Sequence, residues 1–130
     1  MTFALARGFL LTLLAGAALA GCGNSATQSA IPTQVGACAK TTVAETGPRL
    51  EGAPDSGSSI RYENGLSQVD YSVVPGIANS KPGDEVSVCL VSMPTDCPPG
   101  DTRGRVYDAT NLRTHETWRA PDSQHMCGGA

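Results

Sequence analysis

The stretch SSIRYENGLSQVDYSVV, residues 58–74, predicts a β-hairpin. Asn64-Gly65 separates two segments of alternating polarity. A two-residue type I′ turn needs positive φ at both central positions, which Asn and Gly tolerate best. With this loop, Ile60 lies opposite Val69 and Ser58 lies opposite Tyr71. One face of the predicted hairpin then carries the large apolar side chains, which are Ile60, Tyr62, Val69, Tyr71 and Val73.

The segment after this hairpin predicts a central strand. Residues 86–91 are apolar on both faces, which is typical of a strand that has neighbours on both sides. A turn over 81–84 precedes it, and a proline-rich loop over 94–101 follows it. Thr and Val also favour an additional strand over residues 38–46.

A second hairpin is predicted over residues 103–120. Segments 103–110 and 114–120 flank a three-residue loop over 111–113, which places Val106 opposite Trp118. The opposite face would carry Arg105, Tyr107, His115 and Arg119. Arginine side chains beside a tyrosine can bind a carboxylate or phosphate, so this set is a candidate anion-binding face. The alternative is a solvated sheet face that is neutralised by Asp101, Asp108, Glu116 and Asp122.

Composition and patterning together predict the fold class. Gly (15) and Pro (9) are frequent, and no segment of 12 or more residues has a helical period. We therefore expect an all-β domain, a small disulfide-braced antiparallel barrel or sandwich of five to six strands. The formal charge of −3 argues against a nucleic-acid partner, which would require a basic surface.

The first 22 residues read as a targeting signal. Arg7 precedes an apolar run over 8–18 that is too short to span a bilayer, and small residues end it. Leu19-Ala20-Gly21-Cys22 resembles the lipobox of bacterial lipoproteins. The resemblance implies cleavage before Cys22, acylation of Cys22 with palmitate-type chains, and attachment to the membrane of the cell envelope. Gly23, in place of aspartate, favours the outer membrane over the inner one, facing the periplasm or the cell surface.

These boundaries divide the chain into three parts. Residues 1–21 form the predicted lipoprotein signal peptide, 22–36 an acylated cysteine with a flexible tether, and 37–130 a single small β domain. The four cysteines beyond Cys22 predict two disulfides with three possible connectivities in an oxidising compartment. The predicted strand order favours Cys97 with Cys127, which leaves Cys38 with Cys89.

The sequence matches no established pattern for a metal site or a catalytic site. Cys89, Cys97, His115, His125 and Cys127 have the spacing C-x7-C and H-x9-H-x-C, which fits no zinc pattern. Residues 122–125 contain Asp, Ser and His, but the sequence has neither a G-x-S-x-G elbow nor a C-x-x-C motif. We expect no metal, no cofactor and no catalytic residues.

A second resemblance concerns the C-terminal part. Cys97-Pro-Pro-Gly-Asp101, Asn111-Leu-Arg-Thr114 and Cys127-Gly-Gly-Ala130 are similar to short uncharacterised secreted proteins of alphaproteobacteria, which implies no activity. We expect a lipid-anchored envelope protein with a non-enzymatic binding or structural role. Its partners would be the membrane, through the lipid, and an envelope protein or peptidoglycan. The alternatives are an inhibitor of a cell-wall-degrading enzyme, similar in size and architecture to lysozyme inhibitors, and a periplasmic enzyme that uses His115 and His125.

Overall fold

The structure is a computed structural model that describes residues 29–129. Within this range the chain forms six strands and one turn of helix: β1 (Cys38–Leu50), β2 (Ala53–Tyr62), β3 (Ser67–Asp70), α1 (Pro75–Ala78), β4 (Glu85–Ser92), β5 (Val106–Asn111) and β6 (Thr117–Pro121). The all-β prediction is confirmed. Across residues 29–129, the helix content includes nothing with the length and apolar character that a membrane span requires.

The six strands form one antiparallel sheet in the order β3-β2-β1-β4-β5-β6. β1 joins its two halves, because residues 38–42 pair with β4 and residues 43–50 pair with β2. A register irregularity between Val43 and Glu45 marks the change of partner. β3 and β6 approach each other, but no backbone ladder joins them within residues 29–129. The sheet is therefore open rather than a closed barrel.

The predicted hairpin over residues 58–74 forms from β2 and β3, but with a register one residue away from the prediction. Ile60 pairs with Gln68, not with Val69. The Tyr62 N–H donates to the carbonyl of Leu66 at 2.9 Å, so the loop has three residues, 63–65. Gly65 has a φ of +91°, and Asn64 keeps a negative φ, so only one left-handed position is needed.

This one-residue shift reverses the faces of β3. Tyr71 and Val73, predicted to face the core, are 60% and 54% exposed, and Val69 is only half-buried. Gln68 and Leu66 are buried in their place. The prediction of a shared apolar face is therefore right for Ile60 and Tyr62 on β2 and wrong for the three residues after the turn.

Gln68 is a buried polar residue with all of its hydrogen-bonding capacity in use. Its Oε1 accepts hydrogen bonds from the Tyr62 hydroxyl at 2.6 Å and from Trp118 Nε1 at 2.9 Å. Its Nε2 donates to the carbonyls of Tyr107 at 2.8 Å and Ala120 at 3.1 Å. One side chain thereby links β3 to β5 and β6 and holds together the two ends of the open sheet.

The second hairpin also differs from the predicted register. Ala109 lies opposite Trp118, and Val106 lies opposite Pro121, so the prediction of Val106 opposite Trp118 is wrong. The Asn111 N–H donates to the carbonyl of Glu116 at 3.0 Å, which leaves a four-residue loop over 112–115. The Asn111 side chain stabilises this loop, because its Oδ1 accepts hydrogen bonds from two backbone N–H groups inside it.

β4 is a central strand, as predicted, between β1 and β5. Val86, Val88 and Leu90 are buried on its inner face. Both disulfides have the connectivity that the strand order favours, Cys38–Cys89 and Cys97–Cys127. The first cross-links β1 to β4, and the second attaches the C-terminal segment to the loop after β4.

The segment before β1 is packed onto the domain. Ile31 contacts the core, and the carbonyl of Pro32 accepts a hydrogen bond from the Tyr107 hydroxyl at 3.0 Å. The Gly36 N–H donates to the carbonyl of Leu90 at 2.9 Å. The prediction of a flexible tether over 22–36 is therefore wrong for residues 31–36. The predicted signal peptide (1–21) and Cys22 lie outside the described residues.

Candidate functional site

The predicted anion-binding face is not one surface. Tyr107 is fully buried, and Arg105 lies beside it. Burial raises the pKa of the Tyr107 hydroxyl, and Arg105 partly offsets this effect. Arg119 is on the opposite side of the sheet, paired with Asp108, while His115 is exposed in the β5–β6 loop with a φ of +62°. The structure brings Arg105 and Tyr107 together and separates His115 and Arg119 from them.

Three of the four arginines of this region hold carboxylates, whereas Arg105 has no ion pair within residues 29–129 and its buried Nε has no hydrogen-bond partner there. The three ion pairs are Arg103 to Asp101 at 2.8 Å, Arg113 to Asp84 at 2.6 Å and Arg119 to Asp108 at 2.6 Å. The hydrogen bond from Arg119 lowers the pKa of Asp108, and the one from Arg103 lowers the pKa of Asp101.

Of the four carboxylates in the alternative, a neutralised sheet face, Asp101 and Asp108 hold arginines, whereas Glu116 accepts hydrogen bonds from Asn79 and Asp122 accepts one from the Gly104 N–H. The alternative is therefore right in part, and a carboxylate or phosphate ligand at Arg119 would have to displace Asp108.

Asp84 is the most buried of the three carboxylates in these ion pairs. Its side chain is 8% exposed, and Arg113 donates to both of its oxygens, at 2.6 and 2.8 Å. Asn111 Nδ2 and the backbone N–H of Lys81 each donate to Oδ2 at 2.9 Å. The Arg113 hydrogen bonds hold the pKa of Asp84 well below its usual range. This cluster fastens the β5–β6 loop to the start of β4, which is a structural task.

The Asp, Ser and His of residues 122–125 do not form a triad. The Ser123 hydroxyl donates to the backbone carbonyl of His125 at 2.7 Å. Asp122 Oδ1 accepts the N–H of Gly104 at 2.8 Å. His125 is exposed in the same turn. The three residues instead shape the turn that leads to the disulfide at Cys127.

The residues considered for metal binding are used in other ways. Cys89, Cys97 and Cys127 are in disulfides. His115 and His125 occupy separate turns. Over the described range, 29–129, no three His, Cys, Asp or Glu side chains are grouped as a metal ion would need.

An open groove lies where the β1–β2 hairpin extends past α1. Its volume is about 260 Å³, and its lining is mostly small or apolar: Thr46, Gly47, Pro48, Pro54, Gly57, Ser58, Val73 and Ala78. The walls are fixed by two hydrogen bonds, from Thr46 Oγ1 to the carbonyl of Ile77 at 3.0 Å and from the Val74 N–H to Ser58 Oγ at 2.8 Å. Such a concave, largely apolar surface with fixed walls can accept a ligand side chain or an extended segment.

A second hollow of about 410 Å³ adjoins this groove and shares Thr46, Gly47 and Pro48 with it. Its lining includes Arg49 and the carboxylate of Glu51. Arg49 lies over the ring of Tyr71, 4.3 Å from the centroid, and donates to the Gln124 side chain at 2.9 Å. The end of the hairpin therefore combines apolar, acidic and aromatic surface.

This groove was not predicted from the sequence. The sequence feature that could have indicated the groove is a pair of prolines, Pro48 and Pro54. They occur in segments whose other residues are compatible with β-strands. Proline cannot donate a ladder hydrogen bond, so its presence marks a strand end that stays incompletely paired. No protein-family model, no curated protein and no solved structure matches the chain.

Proposed function

We propose that this chain is a lipoprotein of the bacterial cell envelope, anchored through Cys22, whose domain has a non-enzymatic binding or structural role. One observation carries the proposal. Of the five cysteines, four pair with one another as Cys38–Cys89 and Cys97–Cys127. Cys22 is the cysteine outside these pairs, and it ends the motif that resembles a lipobox. Two disulfides also suit an oxidising compartment, where such an anchor is found.

The packed segment before β1 limits how far the domain extends from the anchor. Ile31 contacts the core, and the chain from Cys22 to Ser29 spans at most about 25 Å when fully extended. Two or more acyl chains give stable attachment, whereas one chain binds only marginally. We therefore place the domain close to the membrane surface, on a tether shorter than the 22–36 boundary predicts.

The anchor is tested by substitution of the acylated residue. Cys22→Ala should abolish metabolic labelling with palmitate and release the protein from the membrane fraction. Ser25→Ala, three residues away in the same segment, is the matched control and should keep both properties. Continued labelling of Cys22→Ala would refute the anchor.

The binding role is supported by a difference between the buried polar groups and the open groove. The polar groups at Gln68 and Asp84 are fully engaged inside the domain, whereas the groove beside Pro48 and Val73 is open to solvent. Satisfied buried groups stabilise the fold. An open apolar groove offers a surface for a partner.

Inhibition of a cell-wall-degrading enzyme is the alternative, and the charge balance favours it. The chain carries 12 acidic and 9 basic residues, and five basic residues are held in ion pairs. An acidic excess suits a basic enzyme surface. The test is the rate at which lysozyme clears a cell-wall suspension in the presence of the purified domain, residues 29–130. An unchanged rate at molar excess would remove this alternative.

A further inference from the structure

At the end of the β1–β2 hairpin, where the groove lies, the inner face of the sheet is no longer covered by the core. Ile60 and Tyr62 on the same strand, β2, are buried, as is Val43 on β1. Farther along the hairpin, Pro48 and Pro54 are exposed. The inner face thus continues beyond the part that α1 and β6 cover, and its apolar atoms meet solvent.

Val73 completes this apolar surface on the other wall. It is 54% exposed, and Ala78 beside it in the lining is also exposed. The backbone on this side is fixed, because the Val74 N–H is bonded to Ser58 Oγ. A ligand would therefore meet a surface that needs little rearrangement to bind it.

Exposed acidic side chains lie beside the groove, together with Arg49. On the outer face of the sheet, carboxylates have basic partners across the strands, as Glu45 has Arg61 and Asp108 has Arg119. Glu51 lines the hollow that adjoins the groove, and Asp55 follows Pro54 of the groove lining. Neither carboxylate has an ion pair within residues 29–129.

Within residues 29–129, Glu63 and Asp96 are also exposed carboxylates without an ion pair, so a missing partner alone does not single out the groove. What distinguishes Glu51 and Asp55 is the apolar groove beside them, and the two features together favour a partner that is both apolar and basic.

Arg49, the basic residue on this part of the hairpin, makes its contacts within the domain. Arg49 is held by the carbonyl of Ser56 at 2.7 Å, by Gln124 and by the ring of Tyr71. Tyr71 is 60% exposed, and its hydroxyl donates to the carbonyl of Gln124 at 3.2 Å. A tyrosine fixed in this way next to a groove is the type of side chain that contributes most to protein interfaces.

We propose that this groove docks a segment of an envelope protein that combines apolar side chains with lysine or arginine. The apolar side chains would pack on Pro48, Pro54 and Val73. The basic groups would pair with the carboxylates of Glu51 and Asp55 beside the groove. This complementarity sets the encounter rate and the choice of partner more than the total affinity.

The hairpin end of the groove, at Pro48 and Pro54, also lies away from the first described residue, Ser29. Ser29 bonds to Lys40 and to Asn64 in the β2–β3 loop. β2 runs from this loop to Ala53 at the hairpin end, a length of about 30 Å for its ten residues. This inference rests on the proposed function: if Cys22 holds the membrane, the groove is the surface that remains open toward other envelope proteins.

The test is photo-crosslinking of the full-length anchored protein in its own envelope. A photoreactive residue replaces Val73 in the groove. In the matched control it replaces Val35, another exposed valine, 62% exposed, in the segment before β1. We expect Val73 to give a protein crosslink that Val35 does not give. The crosslinked partner peptide, identified by mass spectrometry, should contain lysine or arginine beside apolar residues.

The second part of the test reverses the charge of the carboxylates beside the groove. Glu51→Lys with Asp55→Lys should lower the Val73 crosslink yield about tenfold, since rim charges change the rate of association. Glu63→Lys with Asp96→Asn changes two other exposed carboxylates and should leave the yield within about twofold; Asn is chosen at position 96 because it tolerates the φ of +58° found there. Both double variants should keep the thermal midpoint of the parent, because all four carboxylates are exposed.

Three results would overturn the inference. An equal crosslink from Val35, a yield unaffected by reversal at Glu51 and Asp55, or an acidic contact peptide would each exclude a basic partner at the groove. These results leave the anchor and the binding role intact. Crosslinks from neither Val73 nor Val35 would remove the binding role itself together with this inference, whereas palmitate labelling at Cys22 would still report on the anchor.

Discussion

The two ends of β2 differ in what covers their inner face. Near the β2–β3 loop, Ile60 and Tyr62 are buried, and Gln68 ties the neighbouring strands together over them. At the hairpin end, Pro54 is exposed, and the groove lies open. The same strand therefore serves stability at one end and offers binding surface at the other. Substitutions at the two ends should affect different properties, and the size of each effect tests this division.

The largest effect is expected at the closed end. Gln68→Leu keeps the size of the side chain but removes the acceptor that the Tyr62 hydroxyl and Trp118 Nε1 share, and the donor to two buried carbonyls. The free energy of unfolding should fall by about 4 kcal/mol, since each orphaned buried group costs about 1–3 kcal/mol. Urea denaturation measures it. Gln124→Leu, at an exposed position, is the control and should cost less than about 1 kcal/mol. Equal effects would show that Gln68 does not hold the sheet ends together.

An intermediate effect, dependent on pH, is expected at Asp84. Asp84→Asn removes the charge that Arg113 binds and should cost about 2 kcal/mol at neutral pH. The folded-state pKa of Asp84 lies below its ordinary value near 4. The contribution of the carboxylate is therefore fully present above about pH 4 and is lost as the pH falls below it.

Denaturation curves from pH 7 down to acid conditions check this prediction. The difference between wild type and Asp84→Asn should narrow steadily below about pH 4. Asp108→Asn, in an exposed pair with Arg119, is the control and should change stability by less than about 1 kcal/mol. A difference at Asp84 that stays constant with pH would exclude the ion pair as its cause.

The smallest effect on stability is expected at the open end. Val73→Ser should change the free energy of unfolding by less than about 0.5 kcal/mol, because the side chain is already half-exposed. Val86→Ser, at a buried position of β4, should cost several times more. Thermal unfolding of the two variants makes the comparison. A large loss at Val73 would mean that the groove belongs to the core and is not a free surface.

The strands were predictable because they depend on local patterns, and the disulfide pairing followed from the predicted strand order. The alternation in 58–74, the apolar segment 86–91 and the strand order that brings Cys97 near Cys127 are all visible in the chain. The registers were not predictable in the same way. Asn64-Gly65 is compatible with a two- or a three-residue loop, and the choice depends on whether Gly65 alone takes a positive φ.

The consequence of that choice is non-local. A three-residue loop places Gln68 inside, which is tolerable only because groups from β2, β5 and β6 satisfy it. Nothing near Gln68 in the sequence reveals these partners. The candidate anion-binding face failed for a related reason, since the side chain of Asn111 stabilises a four-residue loop that changes which residues lie opposite Arg119. Polar side chains that stabilise turns and cores decide both registers.

The proposed structure is a disulfide-braced domain with a lipid anchor at Cys22. It is tested most directly by the intact mass of the protein extracted from membranes, together with a thiol titration of the same sample. We expect an N-terminus at Cys22 that carries the mass of a diacylglyceryl group. We also expect no reactive thiol after denaturation, since the other four cysteines are paired. An unmodified Cys22, a reactive thiol, or an N-terminus at another residue would contradict this proposal.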